Sequence, residues 1–211
     1  MAEVAVLIPL MRAHRIAPVV ESIIATTDSP HIVVIATGEC ANATRDLPVT
    51  LLEDTGGSWG QRINAGYKLT SESIVMTAAD DLFFHPGWFP PIQRALDAID
   101  GGGVCAVNDT YNAAGVHFCL SKSYIETIGG VLDQPPGVIC CEDYVHSFVD
   151  DELRATAQFH GRWGGVIRES VVEHQHYGAG KADHDAVYAA GSASMPQGLA
   201  TLQSRSHLWA A

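Results

Sequence analysis

Two hydrophobic rhythms alternate along the chain. AVLIPL (5–10) and HIVVIAT (31–37) are short, nearly unbroken apolar runs, as expected of strands covered on both faces. RIAPVVESIIATT (15–27) instead spaces its apolar positions at helical intervals. PVTLLED (48–54) predicts a short third strand and ESIVMTAADD a fourth. Between them GGSWGQRINAGYKLTS turns on glycines into a helix, with Ser58 as its N-cap. WFPPIQRALDAI (88–99) predicts an amphipathic helix whose prolines sit in the first turn, where a missing N–H costs little.

The second half is less regular. GGGVCAVND (101–109) turns into a strand, and GVHFCLSKSYIETIGG (115–130) reads as strand, helix and glycine stop. EDYVHSFVDDELRATAQFHG (142–161) carries a helical pattern ending at Gly161, and RWGGVIRESVVEHQHYG reads as a short strand leading to a histidine pair. The last thirty residues predict a helix, a break near Pro196 and a tail. Strands alternating with helices argue an α/β fold with a mostly parallel central sheet flanked by helices. Such folds bind ligands at the carboxyl ends of their strands.

Composition narrows the class. The 211 residues are 47% hydrophobic and 17% charged, enough for one sizeable core in a single compact unit. No apolar run approaches the roughly 20 residues of a membrane helix, and the N-terminus reads as a first strand rather than a signal peptide. Net charge is −12, with few and scattered Lys and Arg, so no electrostatic footprint for nucleic acid is present. An anionic ligand would need a bridging divalent cation. Five cysteines without a CxxC pair read as buried free thiols of a reducing cytoplasm.

Four constellations carry candidate chemistry. Asp80 and Asp81 follow the fourth strand, where one carboxylate can ligate a cation while the other bonds hydroxyls or backbone; a turn or helix-capping pair is the structural alternative. His174 and His176 alternate on an extended segment and so share a face, which lets two imidazoles meet one ion. With Asp81 they make a mixed oxygen and nitrogen site that suits Mn2+ at least as well as Mg2+. Asp150, Asp151 and Glu152 lie on a helix or at its start, where a carboxylate can act as general base or simply complement the helix dipole. In GGSWGQRINAG (56–66) the helix start offers amides to an anion, with Arg62 and Asn64 as polar candidates. Neither GxxxxGK[ST] nor GxGxxG is present. The remaining histidines, His117 among them, read as scaffold.

Together these segments resemble the GT-A glycosyltransferases, in particular the family-2-like enzymes and the short ones of bacterial and phage genomes. AVLIPLMRAHRIAPVVESI is similar to that family's first strand, Pro-containing loop and helix. GGSWGQRINAGYKLTSESIVMTAADDLFFHPGW is similar to its segment running from N-x-G through a strand and D-D to P-G-W. VDDELRATAQFHGRW resembles the acceptor-side helix holding the base, and VVEHQHYGAGKADHD a terminal metal-histidine segment. The resemblance covers roughly residues 4 to 190. It implies a single Rossmann-like GT-A domain over 1–190, with a donor half of about 1–110, an acceptor half of about 111–190 and a tail at 191–211. It implies transfer from a nucleotide-diphosphate sugar, a UDP-sugar first among them, with Mn2+ or Mg2+ bridging protein and diphosphate. The acceptor would be a glycan, protein or lipid hydroxyl, and the setting the cytoplasm, the host's if the chain is phage-encoded; a homo-oligomer is compatible. Residue by residue, Asp81 matches the last acid of the family's DxD motif, a metal ligand, and Asp80 the central acid, which contacts ribose or sugar; Ala79 stands at the first place. His174, or else His176, matches the late metal ligand. Asp150 matches the base, with Asp151 as competitor and Val149 where the family has Glu. Pro9 ends the first strand beside the nucleotide, and Glu39 occupies the place of the base-recognising Asp. A nucleotidyltransferase and a non-catalytic sugar-nucleotide or metal-binding module are the alternative functions.

Overall fold

A computed structural model describes residues 3–54 and 56–209. Its eight strands are β1 (Val4–Pro9), β2 (His31–Ala36), β3 (Thr50–Glu53), β4 (Ile74–Thr77), β5 (Leu82–Phe84), β6 (Val104–Asn108), β7 (Phe118–Ser121) and β8 (Trp163–His174). They form one sheet in the order β3-β2-β1-β4-β7-β6-β8-β5. Four of the seven neighbouring pairs are parallel, and the antiparallel pairs cluster around β7 and at the β5 edge.

Both faces of the sheet are covered, as the unbroken apolar strands require. Side chains alternate across a strand, so Val4, Val6 and Ile8 of β1 enter one core while Leu7 enters the other. The first core is capped by α1 (Ile16–Thr26), α2 (Gly38–Thr44) and α4 (Phe89–Asp97), with Trp88 fully buried in it. The second takes α3 (Trp59–Tyr67), α5 (Lys122–Thr127) and α6 (Val149–Phe159). Ser58 caps α3 in a reciprocal capping box with Gln61, and Pro90 and Pro91 open α4, both as the sequence predicts. All five cysteines are free thiols.

Three local expectations are corrected, and one helix appears where the sequence carries no signal. The β2–β3 connection holds the helix α2: parallel neighbours need a crossover, and the polar heptapeptide GECANAT gives no helical period to read. The helix expected over 142–161 begins only at Val149, because Phe148 takes a left-handed backbone (φ 73°) that stops any helix from the N-terminal side. The strand leading to the histidines is twelve residues long rather than short, since it spans two partners, β6 and β5. No break occurs at Pro196: α7 (Ala186–Arg205) runs through it, and residues 191–205, expected as a tail, are helix.

Candidate active site at the carboxyl edge of the sheet

Three chain segments meet beyond the carboxyl end of β4. Asp80 and Asp81 lie between β4 and β5, and β5 pairs antiparallel with the end of β8, placing Leu82 opposite His174. The Gln175 amide donates to the Asp81 carbonyl at 2.7 Å and the His174 amide to the Asp109 carbonyl at 2.9 Å. The end of β8 is thus clasped between two acidic residues. His174 is brought beside Asp81, with Nε2 3.4 Å from Oδ1.

The two adjacent carboxylates face different partners. Asp80 accepts from the backbone amides of Met11 and Arg12, both at 2.8 Å, and from Arg12 Nη1 at 2.5 Å. It therefore anchors the loop after β1. The same guanidinium nitrogen lies 3.7 Å from Asp81 Oδ2, so Arg12 already offsets part of the charge of the pair. Burial favours the neutral acid at Asp81, but His174 and the Tyr188 hydroxyl more than offset it and hold the carboxyl well below the usual range. Tyr188 donates to Asp81 Oδ2 at 2.8 Å; burial and the Asp81 charge push its own phenol up to about 12, so it stays a neutral donor.

Tyr188 belongs to the first turn of α7, whose N-cap is Asp185. Asp185 Oδ1 accepts from the Val187 and Tyr188 amides, both at 3.0 Å, while Oδ2 takes Arg12 Nε at 2.6 Å. The Arg12 guanidinium lies 4.2 Å over the Tyr188 ring. The last helix is in this way tied across the site to the loop after the first strand.

The acidic helix start is divided as well. Asp150 and Asp151 are half-buried in the first turn of α6. Asp151 is ion-paired to Arg154, which leaves Asp150 as the uncommitted carboxylate. Burial, and then the Asp151 charge, push the Asp150 carboxyl up to about 6. Glu152 is fully buried, accepting from the Tyr144 hydroxyl and from Arg205 Nε and Nη2, all at 2.8 Å. Among the described residues no hydrogen bond or ion pair joins Asp150 or Asp151 to Asp81 or His174.

The other candidates have scaffold duties. Asn64 Oδ1 accepts from the Ile139 and Cys140 amides at 3.0 Å, and Nδ2 donates to the Cys140 carbonyl at 2.8 Å and Glu142 Oε1 at 3.0 Å. Its two acceptor and two donor positions are all used, so it braces the loop before α6 and is not a ligand group. A Cβ on Gly60 would stand 2.9 Å from the Cys141 carbonyl, so α3 and that loop fit only with glycine there. His176 Nδ1 accepts from the Gly178 amide at 3.0 Å and its ring stacks on Tyr111, so that nitrogen caps a turn beside the site. Pro9 is buried at the end of β1 and Glu39 is exposed in the first turn of α2. Arg62 is buried, 3.0 Å from Asp54 Oδ2 and 2.8 Å from the Met11 sulfur, which puts it under the loop after β1.

Arg12, Asp109, His117, Asp185 and Tyr188 were not read from the sequence as site residues. Arg12 stands three residues past the end of β1 and Asp109 directly after β6, positions that only the strand ends reveal. His117 had a local signal, an imidazole inside the apolar run GVHFCL. It is buried, and burial, reinforced by His174, pushes its imidazole down to about 3, keeping it neutral.

Comparison with solved structures agrees with this architecture. The crystal structure of S. aureus TarS 1–349 matches with a TM-score of 0.59 and 11% identity, over 82% of this chain and 60% of that one. Glucosyl-3-phosphoglycerate synthase from Mycobacterium tuberculosis, in complex with Mn2+, UDP and glucosyl-3-phosphoglycerate, matches with a TM-score of 0.67 and 15% identity, over 97% and 80%. The mannosyltransferase PcManGT from Pyrobaculum calidifontis, in complex with GDP-Man and Mn2+, matches with a TM-score of 0.59 and 17% identity, over 97% and 75%. No family model and no curated protein matches the chain. The chain has the GT-A fold, the α/β architecture of these sugar-transferring enzymes, and spans about three-fifths of the TarS segment it matches.

Proposed function

We propose that this protein is a metal-dependent glycosyltransferase that moves a sugar from a nucleotide-diphosphate sugar to an acceptor hydroxyl with inversion. The observation that carries the reading is the pairing of Asp81 with His174, 3.4 Å apart, at the carboxyl edge of a GT-A sheet. The solved structures of this fold that hold UDP with Mn2+, or GDP-Man with Mn2+, support a nucleotide-sugar donor, with UDP first. Among the described residues no helix is long and apolar enough to cross a membrane.

The residues present fit a divalent cation, since Asp81 Oδ1 is buried without a hydrogen-bond partner and His174 Nε2 lies 3.4 Å from it. Asp81 would hold it, with His174 beside it, and the cation would neutralise the departing diphosphate as a Lewis acid. Arg12 adds a fixed positive charge next to the carboxylates, and Arg62 supports the loop that carries it. Asp150 takes the proton of the acceptor hydroxyl as its oxygen bonds to the anomeric carbon and the carbon–diphosphate bond breaks. A carboxyl near 6 is ionised at neutral pH yet basic enough for that work. The acceptor is a hydroxyl on a glycan, a protein or a lipid.

Arg12 across the carboxylate pair favours a second reading, a nucleotide-sugar-binding module without transfer. Donor hydrolysis separates the two. The full chain with Mn2+ should slowly release nucleoside diphosphate from one of a panel of nucleotide sugars without any acceptor. Binding without release from any donor would leave only the module.

A further inference from the structure

The inner side of His174 is a second cluster, apart from the Asp81 side. Asp109 is fully buried. Its Oδ1 accepts from the Tyr111 amide at 2.9 Å and the Asn112 amide at 2.6 Å, which fixes the carboxylate plane. Oδ2 is left without a partner, 3.9 Å from His174 Nδ1. His117 is buried, and neither of its ring nitrogens has a hydrogen-bond partner. Its ring meets that of His174 edge to face, with centroids 5.2 Å apart. One ligating atom from each of Asp109, His117 and His174 lies within 4.8 Å of the other two.

The backbone builds this cluster firmly. The Val107 amide donates to the His117 carbonyl at 3.1 Å, and the His174 amide to the Asp109 carbonyl at 2.9 Å. Gly115, at φ 70°, turns the β6–β7 loop so tightly that a Cβ there would stand 2.5 Å from that of Ala106. Three residues from three segments thus bring one ligating atom each together, and the buried atoms Asp109 Oδ2, His174 Nδ1 and both ring nitrogens of His117 have no hydrogen-bond partner, a rare arrangement in a native interior that calls for something to fill it.

We propose that Asp109, His117 and His174 bind a divalent transition-metal ion at a site distinct from the cation on Asp81. Two imidazoles and one carboxylate are the donor set of Zn2+, Mn2+, Fe2+ or Co2+ and are a poor set for Mg2+, which prefers oxygen. Small inward side-chain rotations would bring the three atoms to metal-bonding distances of about 2.0–2.2 Å. The two nitrogens of His174 lie on opposite sides of its ring, so one ion cannot take both. With Nδ1 on the inner ion, the ring proton sits on Nε2 and faces Asp81 Oδ1, so the inner ion would also orient Asp81. The site does not depend on the transfer reading.

The test is a Co2+ titration of tag-free, metal-free full chain without nucleotide, joined to pulsed EPR of the Mn2+ form. One Co2+ should bind per chain with visible d–d bands, and the Mn2+ spectrum should show two imidazole nitrogens. H117Q and D109N, with near-UV circular dichroism like the wild type, should each weaken Co2+ at least tenfold and by more than D81N does, since Asp81 touches the site only through His174. The wild-type nitrogen count stands even if a variant fails to fold. A single coupled nitrogen, no binding without nucleotide, or loss of binding in D81N but not in H117Q would overturn the proposal. Donor binding and hydrolysis, measured in parallel, would still decide the transfer reading on their own.

Discussion

Neighbouring carboxylates at this site are separated by the donors each one meets. Asp80 is consumed by two amides and a guanidinium, whereas Asp81 keeps one buried oxygen without a hydrogen-bond partner. Asp80→Asn should therefore cost about 2–4 kcal/mol in urea unfolding, because Arg12 and the loop amides lose their charged acceptor. Asp81→Asn should instead abolish the metal-dependent part of nucleotide binding in calorimetry. Unchanged Mn2+ dependence would remove Asp81 from the site. Asp150 is distinguished from Asp151 by the same logic, since Arg154 engages only the latter. Asp150→Asn should lower kcat by about 10²–10⁴-fold with nucleotide affinity retained. The wild-type rate should fall as pH drops through about 6, where the base becomes protonated. The stability effect has the opposite sense. A carboxyl raised in the folded state is stabilising while protonated, and that contribution is lost as pH rises through about 6. Asp150→Asn should thus raise stability at pH 8, on the order of 1 kcal/mol, with the gain gone below pH 4. A melting-temperature series across pH checks this.

At the scale of elements, α6 and α7 are held by one buried charge cluster. Arg205, near the end of α7, bonds both oxygens of fully buried Glu152 and reaches Asp133 at 2.6 Å. Arg205→Ala should cost about 3–5 kcal/mol by stranding Glu152, seen as a lower urea midpoint; a loss under 1 kcal/mol would mean Glu152 finds water instead. This contact also shows where the sequence stopped being legible. The apolar runs of β1 and β2, the Ser58 cap and the prolines of α4 are set by neighbours in the chain, and they were readable. Asp81 and His174, which the fold brings within 3.4 Å, each sit next to a strand recognisable in the sequence. Arg205 with Glu152, Arg12 with Asp185 and Asp109 with His174 join residues far apart in sequence, and no local rhythm marks them. Asn64 misled for the same reason: beside glycines and Arg62 it looked like a ligand group, but its four hydrogen bonds go to a loop about 75 residues away.

Across the whole molecule, the first strand and the last helix close the same site. Arg12 and Asp185 are 173 residues apart and meet at 2.6 Å over Tyr188 and the acidic pair. A chain ending at His184 should therefore lose nucleotide binding together with α7, despite keeping every strand. The parallel β3-β2-β1-β4 half presents its carboxyl ends to that closure, while β5 and β8 bring His174 back from the far side of the sheet. The central claim, a cation-dependent nucleotide-sugar site at this edge, is tested most directly by a melting-temperature panel. UDP, GDP, CDP and dTDP would each be added with and without Mn2+. A ligand that binds only the native state at a hundredfold excess over Kd stabilises it by about 2.7 kcal/mol. The account predicts such a shift with one nucleotide, UDP first, only when Mn2+ is present, and its loss in Asp81→Asn. A shift with Mn2+ alone and none added by any nucleotide would contradict it.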